Sequence, residues 1–282
     1  MKIFKNTNFS ILFGNLQTSP FTGGEFHSLI EQNREILQSK IQAKTHLIQE
    51  SFPINNLLFL RQVHGISGEI ISTATIPIPL WKDGDYLITN TKNLGIGVLT
   101  ADCLPIVFYD HINNIAAIAH AGWPGSVAGI ATKIINEMQS NFNSKINDIK
   151  IFFGPCAKIC CYEVQHDFLD KLEYKKQTQA SSRRPEAQPV PSSVEGADTS
   201  LFASGIALAT TEASPGRAIF FKNNKIFFNL PLYNVLILEK IGVDKKNIDL
   251  NYNFCTICNI EYCSYRRDKE KSGRQMTIIT LN

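Results

Sequence analysis

The sequence predicts a mixed α/β domain, and three observations support this fold class. Short apolar runs bounded by Gly, Pro and Asn predict strands, and a segment with apolar residues every three or four positions predicts a helix packed on a sheet. The composition, 44% hydrophobic and 19% charged, is that of an ordinary globular chain. With 282 residues the chain can bury one large core or two smaller ones. We expect residues 1–282 to form a single domain.

Strands are predicted at several places along the chain. The run "LLFLRQV" (57–63) indicates a strand that ends at His64-Gly65. The runs "YLIT" (86–89) and "GIGVLTADCLPIVFY" (95–109) indicate two strands joined by the turn "NTKNLG". A further strand is predicted at "KIFFG" (150–154), and "AIFFKNNKIFFNLP" (218–231) is typical of a hairpin.

Two helices are predicted from periodicity and end signals. One begins directly after "AGWPG" and carries apolar residues at helical spacing, namely Val127, Ile130, Ala131, Ile134, Ile135 and Met138. The other is "LPLYNVLILEKIGV", which Pro231 opens because proline is favoured in the first turn of a helix.

Charge and apolar content exclude several kinds of partner. The net charge is only +3 and the Lys and Arg residues are scattered, so we expect no nucleic-acid partner. No window approaches the roughly 18 consecutive apolar residues of a membrane span, and the amino end lacks the core of a signal peptide. We therefore expect a cytoplasmic protein with no membrane partner. The seven cysteines are then reduced thiols rather than a disulfide framework.

The segment 179–217 differs in composition from the rest of the chain. It contains no Lys and no Asn, and it is rich in Pro, Ser, Ala and Thr. We predict a poorly ordered insertion that takes no part in catalysis, because longer surface loops cost little extra closure entropy.

Three residues at predicted strand ends are candidates for chemistry: His64 in "RQVHG", Cys103 in "TADCLP" and His120 in "AHAGW". Two imidazoles and a thiolate form a competent zinc set, and three protein ligands leave a fourth position for water or substrate. Two alternatives remain open at this point. Cys103 is either a small buried hydrophobe, with each histidine a polar cap, or the nucleophile of a cysteine hydrolase with His120 as its base.

The segment "HAGWPGS" indicates a helix start that could seat an anion, although a plain tight turn with Ser126 as the helix cap is the simpler interpretation. Arg34 and Arg61 are candidate anion partners or solvated charges.

Three acidic residues flank the candidate strands. Asp83 and Asp85 in "DGD" either contribute to the site or form turn chemistry before a strand. Asp102, next to Cys103, points to the opposite face if the strand is regular, which favours a supporting role.

Six further cysteines form two groups, one in "GPCAKICCYEV" and one in "FCTICNIEYC". A single CxxC without a matching second half is weak evidence for a metal, and the two groups need not meet in space. We therefore expect buried thiols here.

Taken together, the motifs resemble the successive signatures of the laccase-domain, or multicopper polyphenol oxidase, family, now understood as purine nucleoside phosphorylases. The resemblance covers roughly residues 33–161 and 218–281. The matching stretches, in the same order, are "RQVHG", "DGDYLIT", "GIGVLTADCLPIVFYD", "IAAIAHAGWPGSVAGI", "GPCAKICCYEV" and "CTICNIEYCSYRRDKEKSGRQMTIITL".

The resemblance implies an α/β/β/α layered domain, similar in architecture to cysteine-histidine deamidase toxins. It implies that His64, Cys103 and His120 bind the catalytic metal, which is zinc or, at the same site, copper. It also implies that Arg34 in "NREIL" binds the anionic substrate. The implied activities are phosphorolysis of adenosine, inosine, guanosine and methylthioadenosine, and deamination of adenosine. The implied partners are these nucleosides and phosphate, with the protein a monomer or homodimer.

One departure from the family pattern concerns the amino end. The family carries a "TRxGG" segment followed by "SLNLG", whereas this chain has "TSPFTGGEFHSLIEQNREIL" and lacks the arginine. We expect altered activity or preference from this change. Three rival functions therefore stay open: a copper-dependent polyphenol oxidase, a metal-free cysteine hydrolase and a non-catalytic nucleoside-binding protein.

Overall fold

Strand pairing among the described residues forms two large β-sheets and one small sheet. The structure is a computed structural model that describes residues 1–21, 36, 39–41, 43, 44, 56–72, 82–169, 172 and 218–282. Arg34 and the predicted insertion 179–217 lie outside the described residues, so what the sequence predicts for them stays a prediction. Within the described ranges, none of the helices combines the length and apolarity that crossing a membrane requires.

The strands are β1 (Lys2–Lys5), β2 (Phe9–Phe13), β3 (Asn56–Leu58), β4 (Gly68–Ile71), β5 (Tyr86–Thr89), β6 (Leu94–Thr100), β7 (Leu104–Asp110), β8 (Ile115–Ala121), β9 (Ile149–Phe153), β10 (Glu163–Val164), β11 (Ile219–Lys222), β12 (Lys225–Phe228), β13 (Ile248–Asp249) and β14 (Gln275–Leu281). Within the part of the chain that the structure describes, the helices with defined bounds are α1 (Trp123–Ala128), α2 (Ile130–Phe142), α3 (Leu230–Lys240) and α4 (Tyr265–Asp268). Short 3-10 turns lie at Leu16–Thr18, Ile146–Asp148, Lys245–Asn247 and Lys269–Lys271.

Both large sheets mix parallel and antiparallel pairs. The six-stranded sheet has the order β13-β9-β7-β8-β5-β4, with antiparallel strands in its centre and parallel pairs at both edges. The five-stranded sheet has the order β1-β2-β14-β6-β3, and only its β3-β6 pair is parallel. The small sheet pairs β10, β12 and β11. This arrangement confirms the predicted mixed α/β class.

The main core lies on both faces of the six-stranded sheet. One face packs against the five-stranded sheet, where Ile11 of β2 meets the same apolar cluster as Val107 and Ile118. The other face packs against α2 and α3, with Ile134 and Leu238 fully buried. The strands of this sheet are thus covered on both sides, which explains why β7 and β8 are buried along their whole length and, apart from Asp110 and His120, apolar rather than alternating.

A third apolar cluster covers the outer face of the five-stranded sheet. Leu12 and Met276 from its strands pack there with Phe21 and Ile41. Helices, sheet, sheet and this outer cover therefore follow one another, in agreement with the layered α/β/β/α order.

Several predicted elements are confirmed. The hairpin forms from β11 and β12, and its turn residues Asn223 and Asn224 have φ of 50° and 58°, the left-handed backbone of a tight hairpin turn. β9 forms as predicted. Helix α3 begins one residue before Pro231, and the Asn229 side chain caps it by accepting the Leu232 N–H at 3.1 Å.

Three predicted boundaries are wrong. The run 57–63 is a strand only at Asn56–Leu58, and the chain then leaves the sheet toward the site. The run 95–109 is two strands, because residues 101–103 carry the chain from the five-stranded to the six-stranded sheet. The predicted helix is also two helices, since Gly129 has φ of 91° and separates α1 from α2.

Candidate metal centre

Three different elements bring His64, Cys103 and His120 together. His64 lies in the loop after β3, Cys103 in the crossing between the two sheets and His120 near the end of β8. Their potential ligand atoms all lie within 4.8 Å of one another. Cys103 Sγ is 3.7 Å from His64 Nε2, and the two imidazole rings meet edge to face with centroids 4.7 Å apart. The arrangement can hold one metal ion.

Asp85 is the residue that organises this site. Its side chain is almost fully buried just before β5. Oδ1 accepts hydrogen bonds from His120 Nδ1 at 2.8 Å and from the His64 backbone N–H at 2.9 Å. Oδ2 accepts from the backbone N–H groups of Gly65 at 2.6 Å and Val63 at 3.3 Å. One carboxylate therefore fixes both the His64 loop and the His120 ring.

The backbone at His64 is strained in a way that serves this geometry. Its φ of 61° lies in the left-handed region, which costs a residue with a side chain about 1 kcal/mol. The turn directs three successive N–H groups toward Asp85 and leaves the His64 side chain exposed beside Cys103. The hydrogen bonds to the carboxylate offset the strain.

Gly122 is required because backbone and side chains approach closely here. A Cβ at this position would lie 2.8 Å from His64 Cδ2 and 3.1 Å from Cys103 Sγ. The glycine of "HAGW" therefore leaves room for two of the three candidate ligands.

The charges of Cys103 and His120 stabilise each other. Burial raises the pKa of the Cys103 thiol, but His120 and then His64 outweigh it and lower that pKa to about 6. Burial lowers the pKa of His120, while Cys103 and Asp85 together raise it to about 9. Burial likewise raises the pKa of Asp85, yet His120 and the backbone N–H donors bring it below its usual value. Without a metal, the site favours a thiolate beside an imidazolium.

His120 is prepared as a ligand through its other nitrogen. Because Nδ1 is hydrogen-bonded to Asp85, Nε2 is the nitrogen left for a metal, which is the way a carboxylate usually orients a ligating histidine. Two imidazoles and a thiolate fit zinc and also fit copper. The donor set therefore suits the metal that the sequence predicts.

Two arginines from the carboxyl end lie near the site and were not singled out from the sequence. Burial lowers the pKa of Arg274, and the negative charge of Cys103 raises it, so the two groups attract each other. Arg266 has its Cζ 5.4 Å from the centre of the Tyr162 ring. Burial, and then the negative charge of Cys103, raise the pKa of the Tyr162 hydroxyl. The signal in the sequence was the basic stretch "YRRDKEKSGR".

Asp102 is not part of the candidate metal centre. Its carboxylate instead accepts hydrogen bonds from the carboxyl-terminal segment. Its Oδ1 accepts from Thr256 Oγ1 at 2.7 Å, and its Oδ2 accepts from the Arg266 N–H at 2.6 Å. The backbone is not a regular strand here, because Asp102 has φ of 85°. These bonds fix the turn that presents Cys103.

The remaining candidates lie elsewhere. Arg61 forms a two-pronged ion pair with Asp83 at the surface, with Nη2 2.6 Å from Oδ2, so neither is directed to the cluster. Ser126 is not a helix cap, since α1 begins at Trp123 with Gly122 as its cap. Its hydroxyl accepts from Asn234 Nδ2 at 3.0 Å inside the core. Helix α1 is only six residues long, so we assign no anion to its start.

Comparisons with known proteins agree with this fold. Residues 24–215 and 203–282 match a family model described as multi-copper polyphenol oxidoreductase laccase. The chain is 27% identical over 278 residues to a Clostridium acetobutylicum protein named purine nucleoside phosphorylase, covering 98% of this chain and 93% of that protein. An Aquifex aeolicus protein of the same name is 30% identical over 199 residues, covering 71% and 72%. The solved structure of the Bacillus licheniformis hypothetical protein YfiH superposes with a TM-score of 0.71 at 22% identity, covering 97% and 93%.

Proposed function

The chain belongs to the multi-copper polyphenol oxidoreductase laccase family, and from this premise we propose that it is a zinc-dependent purine nucleoside phosphorylase. The relatives that carry this name support the reaction class. The observation that carries the proposal is the convergence of His64, Cys103 and His120 on one point. The substrates in the proposal are adenosine, inosine, guanosine and methylthioadenosine.

The metal site is built from these three side chains, with Asp85 holding His120 in place. Zinc bound there would supply a Lewis acid and a water of lowered pKa. The thiolate of Cys103 and the imidazoles of His64 and His120 would hold it, and three protein ligands would leave a coordination position open to substrate. Zinc binding needs both the Cys103 thiolate and neutral imidazole nitrogens, so the lowered pKa of Cys103 favours binding at neutral pH, whereas the raised pKa of His120 opposes it.

In phosphorolysis, a phosphate oxygen attacks C1′ of the ribose, the bond from C1′ to the purine nitrogen breaks, and the free base leaves. Arg274 is half-buried and attracted to the negative charge of the site, so its guanidinium can hold phosphate through paired N–H donors. Arg266 adds positive charge over the Tyr162 ring, and its backbone N–H is bonded to Asp102, the neighbour of Cys103. Positioning and charge stabilisation then supply most of the rate. The proposal keeps Arg34 as a further substrate-binding residue.

The decisive experiment incubates the zinc-loaded full chain with inosine, with and without phosphate, and separates the products by chromatography. We expect hypoxanthine and ribose 1-phosphate only when phosphate is present. The Cys103→Ala variant should be inactive. The Cys263→Ala variant, a matched change at a buried thiol outside the candidate metal centre, should stay active. A folded, metal-bound parent that releases no hypoxanthine would overturn the proposal.

Deamination is tested in the same assay with adenosine in place of inosine. Hydrolytic deamination yields inosine and ammonia without phosphate, which phosphorolysis does not. We propose this as a second activity of the same site, and it should disappear together with phosphorolysis in the Cys103→Ala variant.

A metal-free cysteine hydrolase is the second candidate, because Asp85, His120 and Cys103 lie in the order of an orienting carboxylate, a base and a nucleophile. This candidate predicts amidase or esterase activity that survives chelation and is abolished by alkylation of Cys103. The phosphorylase proposal predicts the opposite, since removal of the metal abolishes turnover.

A further inference from the structure

A second group of potential ligand atoms lies outside the candidate metal centre. The sulfur atoms of Cys160, Cys161, Cys255 and Cys258, which we term the thiol cluster, all lie within 4.8 Å of one another. Cys160 Sγ and Cys258 Sγ are 3.8 Å apart. The sequence-based expectation of buried thiols is wrong for Cys160 and Cys258, which are exposed, and the two cysteine groups do meet in space.

Backbone hydrogen bonds bring the two halves of the thiol cluster together. Cys156 and Cys255 form an isolated parallel bridge. In it the Cys156 N–H donates to Phe254 O and the Thr256 N–H donates to Cys156 O, both at 3.0 Å. Lys158 Nζ adds a bond to Asn253 O at 3.0 Å. The thiols are therefore held in place by the fold rather than meeting through loose side chains.

Backbone N–H groups surround the sulfur of Cys255. Those of Cys258, Lys158 and Ile257 lie within hydrogen-bonding reach of it. Two of these donors come from the CxxC turn itself, so the turn folds around the sulfur atom. Backbone donors directed at a sulfur are the outer support that metal-bound thiolates need, whereas a neutral thiol is only a weak acceptor.

The spacing of the sulfur atoms is compatible with a single metal ion bound between them. Zinc binds thiolates at about 2.3 Å, and a tetrahedron of that radius has edges of about 3.8 Å. The Cys160–Cys258 distance of 3.8 Å equals this edge. An iron-sulfur cluster places several iron and sulfide atoms between its cysteines and needs them further apart.

We propose that the thiol cluster binds one zinc ion through all four sulfur atoms as a structural site. Four protein ligands leave no open position, so this zinc is closed to substrate, unlike the His64, Cys103 and His120 site. The proposal does not depend on the function proposed above.

The zinc would cross-link two distant parts of the chain. It ties Cys160 and Cys161 to Cys255 and Cys258 and closes the long intervening segment, which contains the predicted insertion. Thr256, inside the CxxC turn, donates to Asp102 at 2.7 Å, and Asp102 precedes Cys103. The zinc cross-link therefore supports, through Thr256 and Asp102, the turn that presents Cys103.

The test counts zinc per full-length chain by mass spectrometry of the element, after purification in reductant without chelator. The Cys103→Ser variant should hold one zinc, and adding Cys160→Ser and Cys258→Ser to it should remove that zinc. In the parent background the same two cluster substitutions should also remove one equivalent, whereas the control Cys263→Ala should remove none. Because the readout is the difference between variants, it stands whether or not the protein is a phosphorylase.

A second measurement needs no variant and so is unaffected by a folding defect. In the zinc-loaded parent, peptide mapping after iodoacetamide treatment should find the four cluster thiols unmodified, and a chelator should make the exposed Cys160 and Cys258 reactive. Equal zinc content in all cluster variants, iron in place of zinc, a disulfide in the reduced preparation, or full alkylation before chelation would each overturn the proposal.

Discussion

Replacing Asp85 by Asn tests the structural argument for the candidate metal centre. The change keeps the shape of the side chain and removes its charge. Each carboxylate oxygen now accepts two N–H groups: Oδ1 from His64 and His120, and Oδ2 from Gly65 and Val63. An amide has one oxygen and one NH₂ group, so in either orientation two of the four donors face another donor.

The magnitude follows from those lost bonds. A hydrogen bond to a charged acceptor contributes about 1.5–3 kcal/mol, and two are lost. Removing the desolvation penalty of the buried charge offsets part of this. We expect Asp85→Asn to lower the free energy of unfolding of the metal-free protein by roughly 3 kcal/mol. Zinc affinity of the three-ligand site should fall by about 10- to 100-fold, because His120 loses its orienting partner.

The assay is urea denaturation of the metal-free proteins, followed by competition with a chelator of known zinc affinity. Asp83→Asn is the matched control, since it lies two residues away in the same "DGD" turn and pairs at the surface with Arg61. Such an exposed pair contributes about 0–1 kcal/mol. Equal stability and equal zinc affinity in the two variants would refute the assignment of Asp85 as the organising residue.

Three further expectations concern the same site. Gly122→Ala should displace His64 and weaken zinc binding at the site. Gly65→Ala, whose Cβ would lie 3.5 Å from its nearest neighbour, Asp85 Oδ2, should bind zinc as the parent does in a chelator competition. In metal-free protein, alkylation of Cys103 followed by peptide mapping should rise with an apparent pKa of about 6; a rise only near pH 9 would contradict the thiolate. Because the fold lowers the pKa of Asp85, its carboxylate stabilises the fold at pH values above 3.8, the ordinary pKa of the group, and this contribution is lost as the pH falls from 3.8 through the lowered pKa. Acid denaturation curves should therefore show the metal-free parent losing more stability than Asp85→Asn below pH 3.8.

The sequence by itself determined the fold class and much of the secondary structure. Local signals are strong where a strand or helix is bounded by its own turn or cap residues. The hairpin of β11 and β12 and the helix α3 that Pro231 opens are of this kind, and both are confirmed. Ordered motifs were equally informative, because the family that they resemble is the one whose model matches the chain.

The tertiary structure decided where continuous apolar runs break and what surrounds each candidate residue. The run 95–109 could not be divided from the sequence, because β6 and β7 are both fully buried and show no alternation across the crossing at residues 101–103. Whether a strand continues or changes sheets depends on distant partners, here β14 for β6 and β8 with β9 for β7.

Dependence on distant partners also explains why the sequence could not assign a role to each candidate residue. Asp83 and Asp85 stand in one short turn with the same chemistry, yet only Asp85 points to four N–H donors that the fold collects from two other segments. The two cysteine groups are far apart in the chain, and a parallel backbone bridge between Cys156 and Cys255 brings them into contact. Residue types and order thus determined which chemistry is available. Long-range packing decided which residues perform it, because hydrogen bonds and ligand geometry depend on distances in space rather than along the chain.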